Sequence, residues 1–161
     1  VVRALKGIGR PVVFIGDPVP AYQDYYEACR REAGAQMHFL GGLPHGSELL
    51  VSAYAACNTF LLATWLETPG LAALEAGLAG AKVVITDQGA TQEYFGDHVL
   101  YVRPDRPDSI RSQTMKMLSA PRTDRLKKHI QANYLWPQAA RQNLEVYEQV
   151  LVGKVLHEQT A

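Results

Sequence analysis

Glu67 and Glu75 stand eight positions apart in Glu67-Thr68-Pro69-Gly70-Leu71-Ala72-Ala73-Leu74-Glu75-Ala76 and bracket the start of an Ala- and Leu-rich stretch. Ionised carboxylates only accept hydrogen bonds, so a pair of them suits a ligand rich in hydroxyl groups. The stretch predicts a helix over 69–79: Thr68 is a good N-cap, Pro69 fits the first turn because its missing N–H costs nothing there, and Gly80 suits the stop. The first turn of such a helix leaves the backbone N–H groups of Gly70 and Leu71 without intrahelical partners, at the positive end of the helix dipole. Negative charge is favoured there, and Gly70 has no side chain to keep a phosphate away. At about 100° per residue, Leu71, Leu74 and Leu78 form one apolar stripe, with Glu75 only about 40° from Leu71 at the edge of the packed face.

Placing these groups beside a ligand takes a scaffold that delivers several loops to one point. Five short apolar, β-branched runs recur at 12–15, 37–40, 59–63, 83–86 and 99–102. Helical stretches at 20–33, 47–56 and 69–79 separate the first four, and strands alternating with helices imply parallel βαβ units. After the last run, Pro107 opens a helix to about residue 119, and two further helical stretches flank Leu135-Trp136-Pro137, where proline interrupts the helix. The fold class read from this pattern is α/β: a Rossmann-like doubly wound parallel sheet with a helical C-terminal tail, as one domain over 1–161. In such sheets ligands bind outside the carboxyl ends of the strands, and four loops follow strands here: Gly16-Asp17-Pro18, Gly41-Gly42-Leu43-Pro44-His45, 64–70 and Asp87-Gln88-Gly89-Ala90-Thr91. Each glycine alone reads as a tight βα turn, but together they open backbone to one cleft. There Glu75 suits the two hydroxyls of a ribose and Glu67 those of a sugar.

The composition narrows the partners. With 161 residues, 47% of them hydrophobic, the chain carries a real core, and 16 basic residues balance 16 acidic ones, which leaves no electrostatic footprint for nucleic acid. Cys29 and Cys57 have no metal-like spacing and fit a reducing cytosol, and no apolar run approaches the roughly 20 residues of a membrane span. His38, His45, His98, His129 and His157 show no metal-binding spacing, so no metal is expected. His45 could touch a phosphate or base, though an exposed loop histidine is the plainer reading. Tyr22, Tyr25 and Tyr26 are expected to form a packed amphipathic face, and Trp136 and Tyr147 to pack as well. The start Val1-Val2-Arg3, without methionine or a signal peptide, suggests a fragment.

On these residues the chain resembles the retaining GT-B glycosyltransferases of family 4. Glu67 to Glu75 reproduces the family's E-x7-E motif within Thr64-Trp65-Leu66-Glu67-Thr68-Pro69-Gly70-Leu71-Ala72-Ala73-Leu74-Glu75-Ala76, and Lys82-Val83-Val84-Ile85-Thr86-Asp87-Gln88-Gly89-Ala90-Thr91-Gln92-Glu93 is similar to its next strand and glycine loop. Phe14-Ile15-Gly16-Asp17, Phe39-Leu40-Gly41 and the stretch 136–147 fall in similar places, so the resemblance covers nearly the whole chain, as the C-terminal donor-binding domain. It implies that Glu75 binds the ribose of a UDP-, GDP- or ADP-sugar, that Glu67 meets the sugar as the catalytic carboxylate, and that the amides of Gly70 and Leu71 hold the distal phosphate. Gly16, Asp17 and Leu43 would border the base and diphosphate, and Glu93 is either a ligand contact or a structural acid. No cofactor and no metal is implied. The acceptor, a carbohydrate or lipid, would be held by an N-terminal domain absent from this chain, with membrane association left open.

The departures are specific. The family commonly has serine near Thr64, an aromatic residue at the place of Pro69 and glycine at the place of Ala90. It also has a Gly-Arg strand end and a Lys-Gly segment that supply an arginine and a lysine to the diphosphate. No such pair precedes Val1, and Lys6-Gly7 reads as the end of a helix. A missing first strand would leave a gap in the middle of the sheet. The resemblance therefore implies a domain that binds donor and transfers poorly alone. The alternatives are a non-catalytic nucleotide-binding or regulatory module and a nucleotide-sugar epimerase of the same fold, the latter needing acid and base residues the chain does not offer.

Overall fold

A computed structural model describes residues 1–158, with side-chain surroundings through residue 151. The elements run α1 (Val2–Leu5), β1 (Val12–Phe14), a 3-10 turn (Pro20–Tyr22), α2 (Gln23–Glu32), β2 (Met37–Phe39), α3 (Glu48–Ala56), β3 (Thr59–Leu62) and α4 (Leu71–Leu78). They continue with β4 (Lys82–Thr86), α5 (Thr91–Phe95), β5 (Leu100–Val102), α6 (Pro107–Ser119), α7 (Arg125–Asn133) and α8 (Trp136–Glu158). All strand pairing is parallel, in two sheets: β1 beside β2, and β3-β4-β5. The fold is thus α/β with a Rossmann-like parallel core and a helical tail. Among the described residues β4 alone is paired on both sides.

The larger sheet is covered on both faces. Val83 and Ile85 face Ala73 and Leu74 of α4, Phe95 of α5, and Leu126 and Ile130 of α7. Val84 and Val102 face Ala4 and Leu5 of α1 and Ile110 and Met117 of α6. A parallel strand buried on both sides has to be apolar throughout, and Val83, Val84 and Ile85 are all fully buried. Lys82 donates to the carbonyls of Leu118 and Ala120 at 3.2 and 2.7 Å, so the last turn of α6 is tied to the start of β4. In the smaller sheet Phe14 stacks on Phe39 at 4.5 Å and Tyr26 of α2 meets Phe39 edge-on at 5.7 Å, while Val13 on the opposite face stays 51% exposed.

Several expectations need correction. Tyr22 and Tyr25 do not pack, being 67% and 72% exposed, because Tyr22 lies in the 3-10 turn before α2 and α2 turns Tyr26, not Tyr25, toward the sheet. Trp136 and Tyr147, both on α8, are likewise exposed. The short helix α5 between β4 and β5 was not signalled: five residues are too few to show a periodicity. His157 lies outside the residues whose side chains are described.

Candidate active site

The helix that carries Glu75 starts later than its sequence suggests. Gly70, not Thr68, occupies the N-cap position of α4, in a left-handed conformation (φ 81°), and Thr68-Pro69 belong to the preceding loop. A left-handed residue ends any helical run begun at Thr68, so the first helical residue is Leu71. Gly70 O receives the N–H groups of Ala73 and Leu74 at 2.9 and 3.1 Å, whereas those of Leu71 and Ala72 have no acceptor among the described residues. The anion-binding end therefore sits around Leu71. Gly70 is itself buried, so of the two predicted backbone positions only Leu71 stands in the open.

The predicted apolar stripe is also displaced. Leu71 is 65% exposed, and the packed face of α4 is instead Ala73, Leu74, Ala76 and Gly77. The angular relation of Leu71 to Glu75 persists, but it places both at the edge of open solvent, at the carboxyl ends of the strands. Small residues on the packed face let α7 approach closely: a Cβ at Gly77 would lie 2.7 Å from Ile130 Cδ1 and 2.8 Å from Leu126 Cδ2.

Glu67 is fixed through both its backbone and its carboxylate. Its N–H donates to Gln88 O at 3.3 Å and its carbonyl accepts from Ala90 N–H at 3.0 Å, making an isolated parallel bridge with Gly89. Gly89 allows this approach, since a Cβ there would stand 2.3 Å from Glu67 O and the residue has φ 92°. The Thr64 hydroxyl donates to Glu67 Oε1 at 2.8 Å, and the position of a Cβ on Gly70 would lie 3.4 Å from Glu67 Oε2. The carboxylate is thus held directly over the start of α4. The loops after β3 and β4 meet here, as their glycines suggested.

Glu75 lies about one turn into the same helix, half-exposed. Its Oε1 is 2.9 Å from Nε2 of His45, reached from the loop after β2. Tyr54 of α3 stands beside it: burial first, and the Glu75 charge second, push its phenol up to about 12. The remaining predicted residues take supporting places. Asp17, exposed, accepts the Gly42 N–H at 2.7 Å, while Gly16 N–H donates to Gly41 O at 2.9 Å, so the loop after β1 organises the loop carrying Leu43 and His45. Leu43 is half-buried in that loop. Glu93 is exposed in α5 with no bond to its carboxylate among the described residues, and Lys6 ends α1, where its carbonyl accepts from Arg111. His45 is the contact that residue-type reasoning passed over; only the Gly-Gly-Leu-Pro-His loop after a strand pointed to it.

No group of three or more potential metal ligands occurs among the described residues, and no helix there is long and apolar enough to cross a membrane. A groove of about 410 Å³ beside α2 and β2, lined by Arg30, Met37, His38 and Leu40, does not border Glu67 or Glu75. The candidate site is open, as one wall of a cleft would be.

The model for the family described as glycosyl transferases group 1 matches residues 2–136. An uncharacterised glycosyltransferase of Methanocaldococcus jannaschii is 27% identical over 135 residues, which cover 78% of this chain and 34% of that protein. Among solved structures, sucrose-phosphate synthase from Thermosynechococcus elongatus superposes with a TM-score of 0.74 at 24% identity, over 88% of this chain and 38% of that one. Anabaena HepE, solved in complex with UDP, gives 0.73 at 17% identity over 91% and 43%. The chain thus spans about a third to two fifths of the length of these relatives, and the structural likenesses show a shared fold.

Proposed function

From a chain that belongs to the group 1 glycosyl transferases, we propose the C-terminal donor-binding domain of a retaining, family 4 GT-B enzyme that moves a hexose from a nucleoside-diphosphate sugar to an acceptor. The observation that carries this reading is the placement of the Glu67 carboxylate beside the exposed start of α4 and of Glu75 about one turn into it. Glu75 accepts the ribose hydroxyls, Glu67 accepts hydroxyls of the donor sugar next to the bond that breaks, and the Leu71 and Ala72 amides face the distal phosphate. As the sugar departs, charge builds on the diphosphate oxygen, and fixed amide dipoles stabilise it without reorganising. That role needs no metal. Gly16, Asp17 and Leu43 border the base and diphosphate from the opposite loops.

The acceptor, a carbohydrate or lipid, sits on a further domain that this chain does not contain, so the chain alone binds donor and turns over poorly. The two cysteines, both free, fit a cytosolic protein. That one solved relative of the same fold is a complex with UDP makes UDP the first ligand to try. The test is calorimetric titration of the chain with UDP, GDP and ADP. Saturable binding of one base in preference to the others supports the donor domain and names the base; absence of binding to all three rejects it in favour of a non-catalytic relative.

A further inference from the structure

His45 reaches Glu75 from a loop whose two ends are fixed while its middle is open. At the start Asp17 holds the Gly42 N–H at 2.7 Å, and at the far end Ser47 caps α3 by accepting the Leu50 N–H at 3.3 Å. Between them the His45 side chain is 86% exposed and has one partner, Glu75 Oε1 at 2.9 Å, whose own side chain is 37% exposed. A residue that positions another is itself held by packing, and His45 is not. Its ring occupies a carboxylate oxygen that an incoming hydroxyl donor would use.

We propose that His45 covers the Glu75 carboxylate in the free protein and is displaced by the donor's ribose, so that an imidazole ring and a ribose diol compete for one acceptor. This rests on the donor-site reading above and adds a residue that tunes it. Exposed ion pairs are weak, so the competition changes donor affinity by at most about fivefold and does not block the site. Its sign follows from geometry: with the ring on Oε1 one acceptor fewer is open to the diol, so removing the ring tightens donor binding.

The experiment titrates the chain and its His45→Ala variant with UDP, GDP and ADP. His45→Ala is expected to bind the preferred nucleotide about two- to fivefold tighter than the parent. Equal or weaker binding by His45→Ala overturns the inference, because the imidazole then does not compete with the ribose. NMR of the His45 ring in the free chain separates the two levels. If Glu75→Gln leaves the ring signals unmoved, the pair does not form and this inference fails whatever the nucleotides do. If the ring responds but no nucleotide binds any variant, the donor-site reading fails and takes the inference with it.

Discussion

Glu67 is the most constrained side chain of the site: its carboxylate answers to Thr64 and its backbone to Gln88 and Ala90. Thr64→Val keeps the shape and removes the donor, leaving Oε1 free to turn away from the start of α4. Lost hydrogen bonds of this kind cost about 1 kcal/mol, so in the complete enzyme kcat/KM should fall about three- to tenfold while UDP affinity of the chain is unchanged. An equal loss in both would place Glu67 at the nucleotide and not at the sugar. Gly89→Ala tests the backbone side. The new Cβ would meet Glu67 O at 2.3 Å in a left-handed conformation, and strain plus overlap should lower stability by about 2 kcal/mol or more, read as a fall in Tm. That Glu67 and Gly89 come together was legible, because the loops after neighbouring parallel strands lie side by side. The contact of His45 with Glu75 was not legible, since it depends on where two loops remote in sequence end up.

At the scale of elements, α4 illustrates how a correct element is assigned with the wrong boundary. The cap rules favour Thr68, but the left-handed Gly70 moves the start to Leu71 and turns the leucine from core to rim. Periodicity alone cannot tell which side of an Ala-rich helix is packed, because alanine and glycine fit close contacts that leucine does not. Gly77 makes that contact with α7. Gly77→Ala should push Leu126 and Ile130 outward and destabilise by about 1–3 kcal/mol, measurable as a lower urea midpoint. The junction of α5 with α7 also carries a pH dependence. His98 stacks on His129 at 4.4 Å, and its pKa is lowered by burial first and by His129 second, with Asp97 opposing. The unfolded chain therefore takes up a proton that the fold resists, so this contribution is present above the ordinary histidine range and is lost as the pH falls through it. Tm should drop between pH 8 and pH 5.5, and drop less in His98→Phe; identical drops would remove His98 from the account.

For the molecule as a whole, the two sheets differ in how they are covered. β4 lies at the centre of three strands with helices on both faces, whereas β1 has a bare edge and an exposed face. Amide exchange should accordingly be fastest in β1 and β2 and slowest in β4, and uniform protection would contradict the division. The α/β class and the strand sequence were readable from the alternation of apolar runs with helical stretches. The splitting of the sheet could not be read from periodicity, because pairing between strands is a long-range property. Exposure of Trp136, Tyr147 and the rim residue Leu71 likewise belongs to tertiary geometry, which residue type does not reveal. The loops after β1 and β2 nonetheless bond to each other, as do those after β3 and β4, and His45 joins the first group to Glu75; the central claim is that this cluster binds a nucleotide through Glu75 and a sugar through Glu67. The most direct test titrates UDP into the chain, Glu75→Ala and Glu67→Ala. The account predicts that Glu75→Ala weakens UDP binding by about tenfold or more and that Glu67→Ala leaves it nearly unchanged, because UDP carries ribose but no donor sugar. Equal losses in the two variants, or a larger loss in Glu67→Ala, would contradict it.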